Sequence, residues 1–134
     1  MNPPSIPNLR EAPTAARAIL LVDDNVEFLE VLARRFTRRG FAVTACTDAV
    51  GALAAARRGK LDVAIIDRAL RGGDGIELLR QLKRENAALP VIVLSGSSDK
   101  ATMAIALESG AFAYFEKPCS LADLEAAVSR CVSS

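Results

Sequence analysis

The amino-acid sequence predicts a doubly wound α/β fold: five parallel strands in one sheet, with helices packed on both faces. Three observations carry this. Short apolar runs alternate five times with amphipathic helical segments. The runs are continuous rather than alternating, as in strands buried on both faces. The connections between elements are short, and a compact repeat of β–α units folds into a parallel sheet with right-handed crossovers.

Residues 1–17 carry Pro3, Pro4, Pro7 and Pro13 and no apolar period, so they are expected to form a flexible or extended tail before a domain spanning 18–134. Ala18–Val22 is the first strand and ends in charge. Over residues 25–39 the apolar Phe28, Leu29, Leu32, Ala33 and Phe36 recur at helical spacing, and Gly40 is placed to end that helix. Residues 41–46 form a second strand. Asp48 caps a short Ala-rich helix that runs to Arg58, with Gly59 closing it. Residues 61–66 are the third strand, ending at Asp67. Asp74, Gly75, Ile76 and Glu77 have capping-box spacing and open a helix through about Glu85. Pro90 leads into a strand over 91–94, and a helix follows from about Ser98 to Ser109, with Gly110 at its end. Residues 112–115 are the fifth strand. Ser120 caps a last helix with Leu121, Leu124, Val128 and Cys131 on its apolar face.

Composition narrows the chemistry. There is no histidine, which excludes mechanisms that need an imidazole base or ligand. The three cysteines, Cys46, Cys119 and Cys131, are widely spaced and form no CxxC pair, so a thiolate metal site or a disulfide framework is poorly supported. Cys46 and Cys131 lie in apolar patterns and are expected to pack as small hydrophobes. No apolar run approaches the roughly 20 residues of a membrane span, and the first residues lack the apolar stretch of a signal peptide. Cytoplasmic residence and no membrane association are expected. The net charge is +1. The basic residues Arg34, Arg35, Arg38 and Arg39 fall at helical spacing and read as a solvated helix face, so no direct nucleic-acid binding is expected.

In doubly wound sheets, ligands bind where the carboxyl ends of the strands meet the loops. Those positions hold Asp23 and Asp24 after strand one, Asp67 after strand three, Ser95 after strand four and Lys117 after strand five. Any one such Asp is ordinarily a turn former or a helix cap. The set is different, because clustered carboxylates repel by roughly 4 kcal/mol per close pair at an effective dielectric near 20. Lys117 alone is too little to offset this. Oxygen-rich sites suit Mg2+ or Mn2+, and one carboxylate of the set can then act as a nucleophile toward phosphorus. The lysine and the serine hydroxyl would bond phosphoryl oxygens.

The segments ILLVDDN (19–25), IIDRALRGGDG (65–75), VLSGS (93–97) and YFEKP (114–118) occur in this order on these strands. The chain from 18 to 131 resembles the response-regulator receiver family of two-component signalling. The resemblance implies a flavodoxin-like (βα)5 fold and a regulatory phosphoacceptor rather than an enzyme. It implies that Asp67 is phosphorylated, and that Asp24 ligates Mg2+ (or Mn2+) directly while Asp23 acts largely through water. Asp67 and the backbone carbonyl of Ala69 would complete the metal site. Ser95 matches the hydroxyl residue that moves toward the phosphoryl group, Lys117 the family's lysine, and Pro118 a residue whose preceding peptide is usually cis. Tyr114 matches the aromatic switch residue; a plain edge aromatic is the alternative.

Two departures from the family pattern stand out. Arg71, followed by Gly72 and Gly73, replaces a common proline, which predicts a more mobile loop. Arg68, directly after Asp67, either touches the phosphoryl group or an incoming partner, or is simply solvated. The implied phosphodonor is a histidine kinase or a histidine phosphotransfer protein. The fourth helix, fifth strand and fifth helix, including Ala104, Leu107, Tyr114 and Leu124, are the expected partner or homodimer face, although Ala104 and Leu107 fit the core as well. An aspartyl-nucleophile phosphatase is disfavoured by Ala69, where such enzymes usually carry a second Asp. A nucleotide- or flavin-binding domain is disfavoured because no glycine-rich phosphate loop follows strand one. The sequence reads either as a single-domain regulator or as the excised receiver of a longer DNA-binding regulator or hybrid kinase.

Overall fold

The computed structural model describes residues 16–97 and 99–132. The elements follow in the order β1 (Ala18–Val22), α1 (Val26–Arg38), β2 (Ala42–Cys46), α2 (Ala49–Arg58), β3 (Val63–Asp67), α3 (Gly75–Glu85), β4 (Val91–Ser95), α4 (Lys100–Glu108), β5 (Ala113–Glu116) and α5 (Leu121–Val132). The strands pair in parallel in the order β2-β1-β3-β4-β5. This is the doubly wound arrangement that the sequence predicts. Most of the expected tail, residues 1–15, lies outside the described residues. Arg17 already belongs to the fold, since its carbonyl accepts the Ala42 N–H at 2.8 Å.

Side chains alternate across the sheet, and this sorts the strand residues into two apolar layers. Ile19, Leu21, Val63, Ile65, Ile92 and Leu94 pack against Leu29, Leu32 and Phe36 of α1 and Leu124 and Val128 of α5. Leu20, Val22, Ala64, Ile66, Val91 and Val93 pack against α2, α3 and α4, through Ala52, Leu78, Leu79, Leu82 and Ala106. β1, β3 and β4 are central and their apolar residues after the half-buried Ala18 are buried, whereas β2 and β5 are edges and partly exposed. Half-buried Cys46 and Cys131 join these layers as small apolar groups. Among the described residues no helix is long and apolar enough to cross a membrane.

Side-chain caps satisfy the first N–H groups of the helices. Asn25 accepts from Phe28 N (3.1 Å), Asp48 from Gly51 N (2.8 Å) and Asp74 from Ile76 N (3.0 Å). Glu77 lies beside Arg80 (3.8 Å) and Arg84 (3.6 Å). α4 is capped by Asp99, which accepts from Ala101 N at 2.9 Å; Ser98, where this helix was expected to begin, lies outside the described residues. Gly40 and Gly110 end α1 and α4 with φ of +94° and +108°, the left-handed region that glycine enters without a Cβ clash.

Three details differ from expectation. The segment after Asp67, expected to be a more mobile loop, forms a two-residue antiparallel ladder in which Ala69 pairs with Asp74 and Leu70 with Gly73. Gly72, at φ +72°, makes its turn. Leu124 points inward and is fully buried, so it leaves the expected partner face, while Ala104 and Leu107 are exposed rather than part of the core. Finally, the arginine-rich face of α1 is exposed but not wholly free. Arg35 Nε (2.7 Å) and Arg39 Nη2 (3.0 Å) both donate to Glu125, a buried carboxylate of α5. The two guanidinium groups, hydrogen bonds from Arg35 foremost, hold the Glu125 carboxyl below its usual range.

Candidate functional site

The chain leaves β1 toward β2 on one side of the sheet and then crosses to β3 on the other. A crevice therefore opens at the carboxyl ends of β1 and β3. Asp23 and Asp24 follow β1 directly, and Asp67 is the last residue of β3. The structure brings all three together: one carboxylate oxygen from each lies within 4.8 Å of the others. Asp23 and Asp67 are buried and Asp24 is half-buried.

Lys117 reaches this cluster from just beyond β5. Its Nζ lies 3.0 Å from Asp23 Oδ2 and 3.4 Å from Asp67 Oδ2. The Phe28 ring of α1 lies beneath it, with Nζ 4.8 Å from the ring centroid, a cation–π contact that also excludes water from one side. The Lys117 backbone N–H donates to Ser95 O at 2.7 Å, and the Lys117–Pro118 peptide is cis. The second oxygens of the buried pair have backbone donors: Asp23 Oδ1 accepts from Asn25 N (2.9 Å) and Asp67 Oδ1 from Ala69 N (3.3 Å).

Burial and the Asp23 charge push the Asp67 carboxyl up, and Lys117 offsets this only in part. For Lys117 burial acts to lower the value, but the hydrogen bond and charge of Asp23, reinforced by Asp67, hold the ammonium above its usual range. Three carboxylates and one ammonium leave the pocket with a net charge of about −2. Hard oxygen donors with that excess charge match a small divalent cation. Asp23, Asp24 and Asp67 are the residues that could hold one.

Ser95 and Tyr114 sit on the opposite side of the acceptor from α1. Ser95 is buried at the end of β4, and its Oγ accepts from Ser97 N at 3.1 Å. The half-buried Tyr114 donates its hydroxyl to Ser97 O at 3.0 Å. Both are thus tied to the segment between β4 and α4. Ala69 is exposed, in the short ladder that follows Asp67.

Two residues of this site escaped sequence reasoning. Phe28 reads as one more apolar residue of an amphipathic helix, yet it supports Lys117. Gly75 reads as part of a helix start, yet it is the point where α3 touches the backbone of Asp67 and Arg68. Nothing in either local pattern distinguishes these roles, because each depends on a partner distant in the chain or on a close approach of backbones.

Fold and pocket together define a doubly wound α/β domain with a carboxylate cluster suited to a divalent cation. A family model described as "Response regulator receiver domain" matches residues 19–129. The chain is 41% identical over 108 residues to the transcriptional activator protein PfeR of Pseudomonas aeruginosa, covering 81% of this chain and 35% of that one. It is 37% identical over 100 residues to the transcriptional regulatory protein CseB of Streptomyces avermitilis, covering 75% of this chain and 42% of that one. The chain thus spans less than half the length of either relative. Among solved structures, it is similar to a response regulator from Burkholderia pseudomallei with a phosphorylated aspartic acid, calcium ion and citrate (TM-score 0.80, 31% identity, 87% of this chain and 69% of that one). A CheY-like receiver domain protein from Methanospirillum hungatei shares the fold (TM-score 0.85, 24% identity, 89% and 95% covered). The chain belongs to the response regulator receiver domain family of two-component signal transduction.

Proposed function

We propose that the domain, bounded by residues 18–134, accepts a phosphoryl group on Asp67 from the phosphohistidine of a histidine kinase or histidine phosphotransfer protein in the cytoplasm. The observation that carries this is the setting of Asp67: a buried carboxylate at the switch point, 3.4 Å from Lys117 and clustered with two further carboxylates. In the transfer, an Asp67 oxygen bonds to phosphorus as the P–N bond breaks, and the imidazole keeps the electron pair and takes up a proton. The attacking group is already an anion, so no general base is needed, in keeping with a chain that has no histidine.

Asp24 and Asp23, with Asp67 and the Ala69 carbonyl, would hold Mg2+ (or Mn2+). When bound, that ion neutralises charge that develops on the phosphoryl oxygens. Lys117, fixed by Asp23 and by Phe28, is aimed at the acceptor and would donate to a phosphoryl oxygen. Ser95 would give up its bond from Ser97 N–H to reach another, and this would disturb the carbonyl to which Tyr114 is tied. The switch would then be read on α4, β5 and α5, where Met103, Ile105 and Leu107 of α4 are exposed. That face is the expected surface for a partner or a second copy. The domain acts as a regulator that turns over only its own phosphoryl group, not as an enzyme for a separate substrate.

The test uses Mg2+ with a small phosphodonor or BeF3−. The wild-type chain is expected to be modified or to bind the fluoride, and Asp67→Asn to do neither. Equal labelling of the mutant would overturn the assignment of Asp67. A second reading, the input module of a longer transcriptional regulator, is favoured by the relatives, which are named as such and are more than twice as long as the matched segment.

A further inference from the structure

We infer that Phe28 is a positioning residue for the phosphoryl transfer: its ring keeps the Lys117 ammonium at the acceptor when a divalent cation draws on the carboxylates that otherwise hold it. The inference rests on the reading of Asp67 as the acceptor.

In the unmodified pocket the Lys117 ammonium has partners of two kinds. Asp23 Oδ2 lies at 3.0 Å and Asp67 Oδ2 at 3.4 Å, and the centroid of the Phe28 ring lies at 4.8 Å. Both carboxylates belong to the cluster that would hold the ion. Lys117 and a bound cation would therefore share one set of negative charges, and they would also repel each other. Lys117 loses part of its hold on Asp23 and Asp67 in that state. The ring contact differs in kind. It draws the ammonium to the face of a π-system and uses no carboxylate oxygen, so it persists with the carboxylates occupied.

The ring is built into the same network. Asp23 uses Oδ2 for Lys117 and Oδ1 for the Asn25 N–H, at 2.9 Å. Asn25 caps α1, and its side-chain oxygen accepts from Phe28 N at 3.1 Å. One carboxylate thus sets both the ammonium and the helical turn that presents the ring. Farther along α1, Leu29, Leu32 and Phe36 are buried, and Arg35 and Arg39 are bound to Glu125 of α5. The helix cannot withdraw the ring without breaking these contacts.

Packing alone does not call for an aromatic residue here. Phe28 is half-buried and borders an open cavity with Val31, Pro118, Cys119 and Leu121. A leucine would serve the apolar face of an amphipathic helix equally well. Only an aromatic face attracts an ammonium.

The test is calorimetric titration of the wild type, Phe28→Leu and Phe28→Tyr, with Mg2+ alone and then with BeF3− at saturating Mg2+. Phe28→Leu is expected to bind BeF3− roughly three- to thirty-fold more weakly. Its Mg2+ affinity should equal or exceed that of the wild type, because the competing ammonium is less firmly held. Phe28→Tyr keeps the π-face and should restore BeF3− binding to within about two-fold. In NMR spectra of the wild type, the ring current should shift the Lys117 Hε protons upfield, and the shift should persist when Mg2+ is added. Wild-type BeF3− affinity in Phe28→Leu would overturn the inference. So would a parallel loss of Mg2+ and BeF3− binding, which marks a disturbed α1, or equal losses in the leucine and tyrosine variants. Disappearance of the upfield shift with Mg2+ would overturn it as well. Each of these results leaves Asp67 as the acceptor. Failure of the wild type itself to bind BeF3− would instead overturn the acceptor reading, and this inference with it.

Discussion

Gly75 and Asp67 meet backbone to backbone where α3 begins. A methyl group on Gly75 would overlap the Asp67 carbonyl oxygen and come within 2.7 Å of the Arg68 Cα. The Gly75 N–H meanwhile donates to the Arg68 carbonyl. α3 therefore sets the height of Asp67 in the pocket through a contact that only glycine allows. Gly75→Ala is expected to cost roughly 1–3 kcal/mol of stability, the usual range for overpacking a tight contact. It should weaken BeF3− binding as well, because the displaced group is the backbone of the acceptor. Urea unfolding read alongside a BeF3− titration checks both. An alanine variant of wild-type stability would show that α3 can move aside without effect.

How much of this was legible beforehand follows from the range of each interaction. The central strands were legible because β1, β3 and β4 are buried on both faces and their apolar runs are continuous. Asp48, Asp74, Gly40 and Gly110 were legible because caps and left-handed turns depend on neighbours in sequence. The rim residues Asp23, Asp24, Asp67, Ser95 and Lys117 could be found because a parallel sheet brings the ends of its strands to one edge. The Phe28–Lys117 contact and the clamp of Arg35 and Arg39 on Glu125 join α1 to the other end of the chain. No local pattern encodes them. The ladder after Asp67 is not legible in the sequence, because Arg71 in place of a common proline, followed by two glycines, predicts freedom, whereas Gly72 makes the turn and Gly73 pairs with Leu70.

The raised Asp67 carboxyl predicts an unusual pH dependence. Between the ordinary value of 3.8 and the raised one, the folded chain binds the Asp67 proton more tightly than the unfolded chain does. Stability from this group is therefore full below about pH 4 and is lost as the pH rises through the folded value. Without metal, Asp67→Asn is expected to be more stable than the wild type at neutral pH, by a margin that shrinks as the pH falls. Mg2+ should stabilise the wild type and narrow or reverse the gap. Glu125, whose carboxyl is held low, behaves in the opposite sense: its contribution is present above the ordinary value of 4.5 and is lost as the pH falls. Urea midpoints of both proteins from pH 4 to 8, with and without Mg2+, separate these effects. A metal-free gap that does not change with pH would contradict the raised value for Asp67.

Asp24 is the most exposed carboxylate of the three, whereas Asp23 is tied to both Lys117 and the Asn25 N–H. Removing Asp24 takes a ligand from the metal site and relieves repulsion within the carboxylate cluster. Asp24→Ala is expected to be at least as stable as the wild type in urea without metal and to lose Mg2+ binding by calorimetry. Asp23→Ala should instead lose stability, because Lys117 then keeps only its longer contact, to Asp67. An unaltered Mg2+ titration in Asp24→Ala would show that the ion is held elsewhere.

Tyr114 offers a direct view of the switch, because it is the only tyrosine in a chain without tryptophan. Its hydroxyl is anchored to Ser97 O, two residues beyond Ser95, whose own Oγ accepts from Ser97 N. A pull on Ser95 toward a phosphoryl group acts on the same residue, Ser97, whose carbonyl holds the ring. Tyrosine emission should therefore change when BeF3− is added with Mg2+, and should not change in Asp67→Asn. Tyr114→Phe removes one hydrogen bond of the unmodified state, worth about 0.5–1.5 kcal/mol, and should tighten BeF3− binding if the phenol must release Ser97 for the switch to turn. Emission that stays constant while calorimetry records BeF3− binding would mean that Tyr114 is an edge aromatic and takes no part in signalling.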